Sequence, residues 1–180
     1  MIIKSFEVNK LNLNKTPFVL LYGKNDGLKK EITNIILKNK IITSNYEEKE
    51  IIDNLDNFIE ELNTKSLFEE EKLIAINRAS DKILKNLSEI IDKNNEDLII
   101  IINSENLEKK SKLRSFFEKE KNCACIPVYP DTQTTLSKIA FDYLNKRKIP
   151  ISSSNVNIII NRCNGDRKIL LMELEKIEIF

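Results

Sequence analysis

The chain has 180 residues, of which 41% are hydrophobic, and its 29 Lys and Arg nearly cancel 28 Asp and Glu to leave a formal charge of +1. That length holds one full domain and a smaller second one, and the apolar content can bury a core, so disorder is not the default. The balanced charge gives no bulk reason to bind nucleic acid or an anionic membrane. Histidine is absent, which removes the usual general base and the commonest metal ligand together.

Residues 2–8 (IIKSFEV) alternate enough to predict a short edge strand, followed by a polar link and Pro17. Phe18 to Lys30, FVLLYGKNDGLKK, reads as a buried strand, a glycine-bearing turn and the start of a helix. The helix stripe is Leu28, Ile32, Ile35 and Ile36. This arrangement is where a phosphate loop would stand, and such a loop needs G-x-x-x-x-G-K-[ST]. Counted from Gly23, the second Gly position is Leu28, the Lys position is Lys29 and the hydroxyl position is Lys30. Gly27 falls one residue early. Gly23, Lys24, Gly27 and Lys29 are therefore read as a degenerate phosphate loop that does not bind nucleotide, and a structural turn is preferred.

Further along, Lys40 to Tyr46 is a weaker strand candidate. Ile51, Ile52, Leu55, Phe58, Ile59 and Leu62 then predict one helix of about four turns. Leu73 to Asn77 (LIAIN) is a buried strand, and Ser80 or Asp81 caps a helix with Ile83, Leu84, Leu87, Ile90 and Ile91 on its stripe. The run LIIII after Asp97 is the most hydrophobic strand and the expected sheet centre. A helix carrying Leu113, Phe116 and Phe117 follows, and Cys123 to Val128 closes the series. Strands alternating with helices predict an α/β fold, a parallel sheet with helices on both faces.

Beyond Pro127 and Pro130 the pattern turns wholly helical. Leu136, Ile139, Ala140, Tyr143 and Leu144 mark one helix; Val156, Ile159, Ile160 and Cys163 mark a second; Gly165 suits its C′ position, and Asp166 caps a third running from Ile169 to Ile179. The expected division is an αβ domain over 1–129 and a partial, small helical lid over 130–180.

Cys123 and Cys125 lie two apart in a predicted strand, so they share a face and are read, with Cys163, as small core residues rather than as a metal or disulfide set. An odd cysteine count fits a reducing cytosol. No apolar run approaches the roughly 18 residues a membrane span needs, so a soluble, cytoplasmic protein is expected. Lys109, Lys110, Lys112 and Arg114 are interleaved with acids, which favours a solvated helix face over a phosphate-backbone contact.

An αβ domain followed by a helical lid is the layout of the AAA+ superfamily, and particular segments narrow it. FVLLYGKNDGL, SLFEEEKLIAINRAS, DLIIIINSENLEKKSKLRSFFEK and NGDRKILLMELEKIEIF together resemble the delta subunit of the bacterial DNA polymerase III clamp loader. Members of that family continue through the lid into a third, collar domain, which this chain lacks. The resemblance implies a non-hydrolysing subunit of the polymerase III holoenzyme, a DNA-directed DNA polymerase and so a nucleotidyltransferase complex. Such a subunit has no catalytic residues, cofactor or metal of its own. It grips the sliding clamp (beta subunit) and helps open it for loading on DNA during replication. The implied partners of the full-length protein are that clamp and the other loader subunits, gamma/tau and delta prime, with DNA reached through the complex and no membrane.

By the same resemblance the clamp-binding element is Ser66, Leu67 and Phe68. From the residues alone a Leu-Phe pair between a helix and a strand would be buried; the family match and the polar setting turn that reading outward. Where Walker B carboxylates would follow LIAIN, the chain has Asn77 and Arg78, so a metal would find no acidic partner there. Asn103 lies where active relatives sense a phosphate and is read as a strand-end turn residue. The alternative function is a nucleotide-binding enzyme or regulator with an atypical phosphate loop built around Lys24 and Lys29.

Overall fold

In the computed structural model, residues 1–38, 40–64, 71–92 and 97–179 are described. Five parallel strands form one sheet: β1 (Phe18–Tyr22), β2 (Ser44–Glu47), β3 (Lys72–Asn77), β4 (Leu98–Ser104) and β5 (Cys123–Pro127), in the order β2-β3-β4-β1-β5. The run after Asp97 is central, as its composition predicts, with Ile100 opposite both Phe18 and Ile74. Every residue of β1 is buried, as expected of a strand covered on both faces.

Between the strands run α1 (Asp26–Leu37), α2 (Glu48–Asp53), α3 (Leu55–Asn63), α4 (Leu84–Asp92, preceded by a 3-10 turn at Asp81–Ile83) and α5 (Lys112–Lys119). Alternate residues of each strand face opposite ways. Phe18, Leu20 and Tyr22, with Ile74, Ile76, Ile100, Ile102, Cys123 and Cys125, form one core with Ile51, Phe58, Leu62, Leu87, Leu113 and Phe117 from the helices. The intervening residues Val19, Leu21, Ile99, Ile101 and Ala124 are just as deeply buried on the other side.

Two predicted elements differ. The segment 2–8 is not a strand: Ile2 makes a single bridge to Cys125, and Ser5–Lys10 winds into a 3-10 helix that buries Val8 and leaves Phe6 exposed. Only Ile3 and Val8 are buried there, too few for a period-two face. The helix expected over 51–62 is broken at Asn54, which takes φ −137° and ψ 55°. Ile51 in the first piece and Phe58 and Leu62 in the second are buried, while Ile52 is exposed.

The chain divides into two compact units. One holds residues 1–22 and 32–127. The other joins residues 23–31 to residues 128–180 and contains three further helices, α6 (Gln133–Lys146), α7 (Ser153–Arg162) and α8 (Arg167–Ile179). Each starts on a side-chain cap: Thr132 accepts from Thr135 N–H, Ser152 from Asn155 N–H, and Asp166 from Lys168 N–H at 2.7 Å. Between α7 and α8 both Asn164 and Gly165 take positive φ, which turns the chain within two residues. Leu136, Ala140, Leu144, Val156, Ile160, Cys163, Leu170 and Leu174 form the core of this unit.

Candidate functional site

The loop after β1 stands where a phosphate cradle would be expected and carries the degenerate residues Gly23, Lys24, Gly27 and Lys29. Gly23 has φ +138° and lies so close to the Val128 carbonyl that a Cβ would be 1.8 Å from its oxygen. Glycine is therefore obligatory there for packing as well as for conformation. A Cβ on Gly27 would stand 2.4 Å from the Lys168 backbone nitrogen and 2.7 Å from Arg167 Cγ. In a working cradle, glycine leaves room for phosphate. In this loop the room is filled by the start of α8.

Asn25, only 1% exposed, occupies the loop's interior. Its Oδ1 accepts from Leu28 N–H at 3.0 Å, and its Nδ2 donates to Asp131 Oδ2 at 2.8 Å and to the Tyr129 and Gly165 carbonyls at 3.3 Å each. Asp131 in turn receives a two-pronged contact from Arg167, Nε to Oδ2 at 2.8 Å and Nη2 to Oδ1 at 2.6 Å, and Arg167 Nη1 also reaches Glu31. The hydrogen bond that Arg167 donates to Asp131, and then the one it donates to Glu31, raises its pKa above the ordinary value against the effect of burial. Lys29 is buried and pairs with Asp26 at 3.1 Å, while Lys24 and Lys30 point to solvent. The sequence reading placed Gly23, Lys24, Gly27 and Lys29 but missed Asn25, Glu31, Asp131 and Arg167. Asn25 and Asp131 are 106 residues apart, Glu31 and Arg167 136, and Asp131 and Arg167 36, so no local spacing signals them.

At the ends of β3 and β4, Asn103 Nδ2 donates to Asn77 Oδ1 at 3.1 Å, and Arg78, with φ +53°, extends outward to Glu47 at 3.6 Å. Asn103 Oδ1 is buried without a hydrogen-bond partner among the described residues. No group of three or more His, Cys, Asp or Glu side chains among the described residues could hold a metal ion. The three cysteines are buried and unpaired in the two cores. No helix among the described residues is long and apolar enough to cross a membrane.

Ser66, Leu67 and Phe68 lie outside the described residues. The chain on either side is anchored. Thr64 Oγ1 bonds the Glu60 carbonyl, Lys72 Nζ donates to the Glu61 carbonyl and, at 3.0 Å, to that of Thr64, and Glu71 pairs with Lys40. The Glu61 carboxylate receives the Ser44 hydroxyl at 2.6 Å and that of Tyr46.

On the α5 side, Arg114 pairs with Glu118 at 2.7 Å and stacks 5.0 Å from the Tyr22 ring centroid, while Lys110 pairs with Glu108. Asp81 accepts from the Ser111 hydroxyl and from the Lys112 and Leu113 N–H groups. The Ser111 hydroxyl, then the two backbone donors, hold its carboxyl below the usual range. It therefore anchors the start of α5, and Ser80 caps the turn before α4.

The fold recurs in solved structures. The Bacillus subtilis DNA clamp loader delta protein (YqeN) matches with a TM-score of 0.60 and 17% identity, over 98% of this chain and 57% of that one. The replication initiator DnaA bound to AMPPCP and single-stranded DNA matches with a TM-score of 0.60 and 15% identity, over 97% and 60%. Thermotoga maritima RuvB matches with a TM-score of 0.55 and 16% identity, over 88% and 53%. These likenesses establish an AAA+-like fold, and the chain spans 57% of the delta protein's length. No curated protein matches the sequence. The family model for the DNA polymerase III delta subunit matches residues 20–126, well over half of the chain, and this chain belongs to that family.

Proposed function

We propose that the chain is the clamp-gripping part of a clamp-loader subunit: it binds the sliding clamp through Leu67 and Phe68, with Ser66 beside them, and helps open it for loading on DNA. The carrying observation is the family match, whose span of 20–126 includes this segment. Its setting agrees. Leu62 is the last buried residue of α3, so that helix has its apolar face complete before the pair begins. Polar Asn63, Thr64 and Lys65 precede the pair and Glu69, Glu70 and Glu71 follow it. In this reading residues 1–129 are the αβ domain that presents the element and 130–180 a helical lid. The other loader subunits, gamma/tau and delta prime, are partners of the full-length protein, DNA is reached through the complex, and the setting is the cytoplasm.

The chain performs no catalysis in this role. The reading that Lys24 and Lys29 serve an atypical nucleotide site is disfavoured by the geometry. Lys29 is committed to Asp26, and the space beside Gly27 is taken by Lys168 and Arg167.

The test is to replace both Leu67 and Phe68 with Ala and to measure clamp affinity and melting temperature together. Burying each side chain in a clamp pocket contributes roughly 1.5 to 3 kcal/mol, so affinity should fall by about two to four decades with little change in melting temperature. A large drop in melting temperature with clamp binding preserved would place both residues in the core and sink the proposal.

A further inference from the structure

We infer that Asp131 and Glu31 form a built-in counter-anion, which holds Arg167 on the Gly23–Glu31 loop and fixes that loop to the helices of its own unit with no bound ligand. The inference is independent of clamp binding. A side chain as buried as that of Arg167, 11% exposed, must have its charge compensated or its burial is strongly unfavourable. The compensation is specific. Both oxygens of Asp131, itself 6% exposed in its side chain, meet two nitrogens of the fork in parallel, the geometry in which Arg and carboxylate bind most firmly. Glu31 lies on α1 and completes the charge balance from the loop side.

Asn25 couples this pair to the backbone. One side-chain amide bonds the Asp131 carboxylate, the Tyr129 and Gly165 carbonyls and the Leu28 N–H, so it ties the loop to the segment before α6 and to the turn before α8. The Asp131 N–H closes the ring by donating to the Gly165 carbonyl at 2.7 Å. An anion at a loop and helix N-terminus of this kind would organise the same donors. Here the anionic atoms belong to the chain, so the arrangement is permanent and needs neither loading nor release.

Hydrogen exchange on the full chain tests this. With Asp131→Ala, the Leu28, Lys29 and Leu170 amides should exchange about 100-fold faster, while those of Ile100 and Ile101 in β4 keep their wild-type rates. If Asp131→Ala does not fold, Asp131→Asn, which removes the charge and keeps an acceptor, carries the same comparison with a smaller change. The double variant Asp131→Ala with Arg167→Ala should be no faster at the loop than Asp131→Ala alone, because the two residues act as one pair. Inorganic pyrophosphate at millimolar concentration should leave the wild-type loop rates unchanged. Unchanged loop rates in the Asp131 variants, equal acceleration in both units, additive effects in the double variant, or slowing of the wild-type loop by pyrophosphate would each overturn the inference.

Discussion

Asn103 and Asn77 face each other across neighbouring strand ends with 3.1 Å between amide nitrogen and carbonyl oxygen. Both are neutral amides, and Asn77 stands at the strand end where a metal-holding carboxylate would be needed. Neither side chain can neutralise a divalent cation, and the Asn103 oxygen that could accept a further bond is buried.

Restoring one carboxylate should not restore chemistry. Asn77→Asp is expected to leave ATP turnover at background and to give no heat on titration with Mg-ATP, because the Gly23–Glu31 loop is still filled by Asn25, Arg167 and Lys168. The folded state should change by less than about 1 kcal/mol, since Asn103 Nδ2 keeps an acceptor. Micromolar binding of Mg-ATP by either protein would defeat this account of the loop.

The sheet was legible in the sequence because four of its strands are continuous apolar runs bounded by Gly, Pro or polar residues, a pattern that a buried parallel strand requires. The fifth, β2 at the sheet edge, is polar at Ser44, Asn45 and Glu47, and only the end of the expected Lys40–Tyr46 segment forms it. The break at Asn54 was not legible: Ile51, Leu55, Phe58 and Leu62 keep helical spacing across it, and a lone Asn is a weak stop signal. The loop's departure from the phosphate-loop pattern is legible at Leu28 and Lys30. The network that fills the loop is not, since Asp131 and Arg167 meet Asn25 and Glu31 only through tertiary packing.

Gly27 tests how tightly the start of α8 is seated. Gly27→Ala would be neutral or favourable in an open helix turn. Here its methyl would meet backbone at 2.4 Å, so the helical unit should lose about 1 to 3 kcal/mol of stability, read as a lower melting temperature. Gly23→Ala should cost more, because it combines a 1.8 Å approach to the Val128 oxygen with a φ of +138°. Unchanged melting of both variants would contradict the packing.

Asn25 makes a sharper comparison. Asn25→Asp keeps the oxygen that caps Leu28 but sets a second oxygen against three acceptors, the Asp131 carboxylate and the Tyr129 and Gly165 carbonyls. A donor replaced by a charged acceptor removes one bond from each of the three groups and sets a second carboxylate against Asp131, which keeps its bonds from Arg167, and the expected loss is about 2 to 3 kcal/mol. Asn25→Ala, which removes the bonds without adding charge, should be the milder change. The order of melting temperatures, wild type above Asn25→Ala above Asn25→Asp, checks it.

The cysteines give a pH dependence whose sign follows from burial. Cys123 and Cys125 are fully buried on β5, facing the core, and desolvation, with the nearby Glu120 and Glu118 carboxylates respectively, pushes each thiol up to about 12. In the unfolded chain both would ionise near about 8.5. A group whose pKa is raised on folding contributes its stability in full below the unfolded value and loses it as pH rises toward the folded value. Stability should therefore be flat with respect to these thiols below about pH 8.5 and decline between there and about 12, by at most about 1.4 kcal/mol per pH unit for each thiol. Denaturant midpoints measured from pH 7 to 11 in wild type and in Cys123→Ala with Cys125→Ala check this: the double variant, though less stable at pH 7 for lost packing, should show a shallower decline. Equal slopes in the two proteins would mean that burial does not hold these thiols protonated. At pH 8 neither thiol should react with an aqueous disulfide reagent on the timescale of free cysteine, since the thiolate is the nucleophile and both sulfurs are kept neutral and shielded.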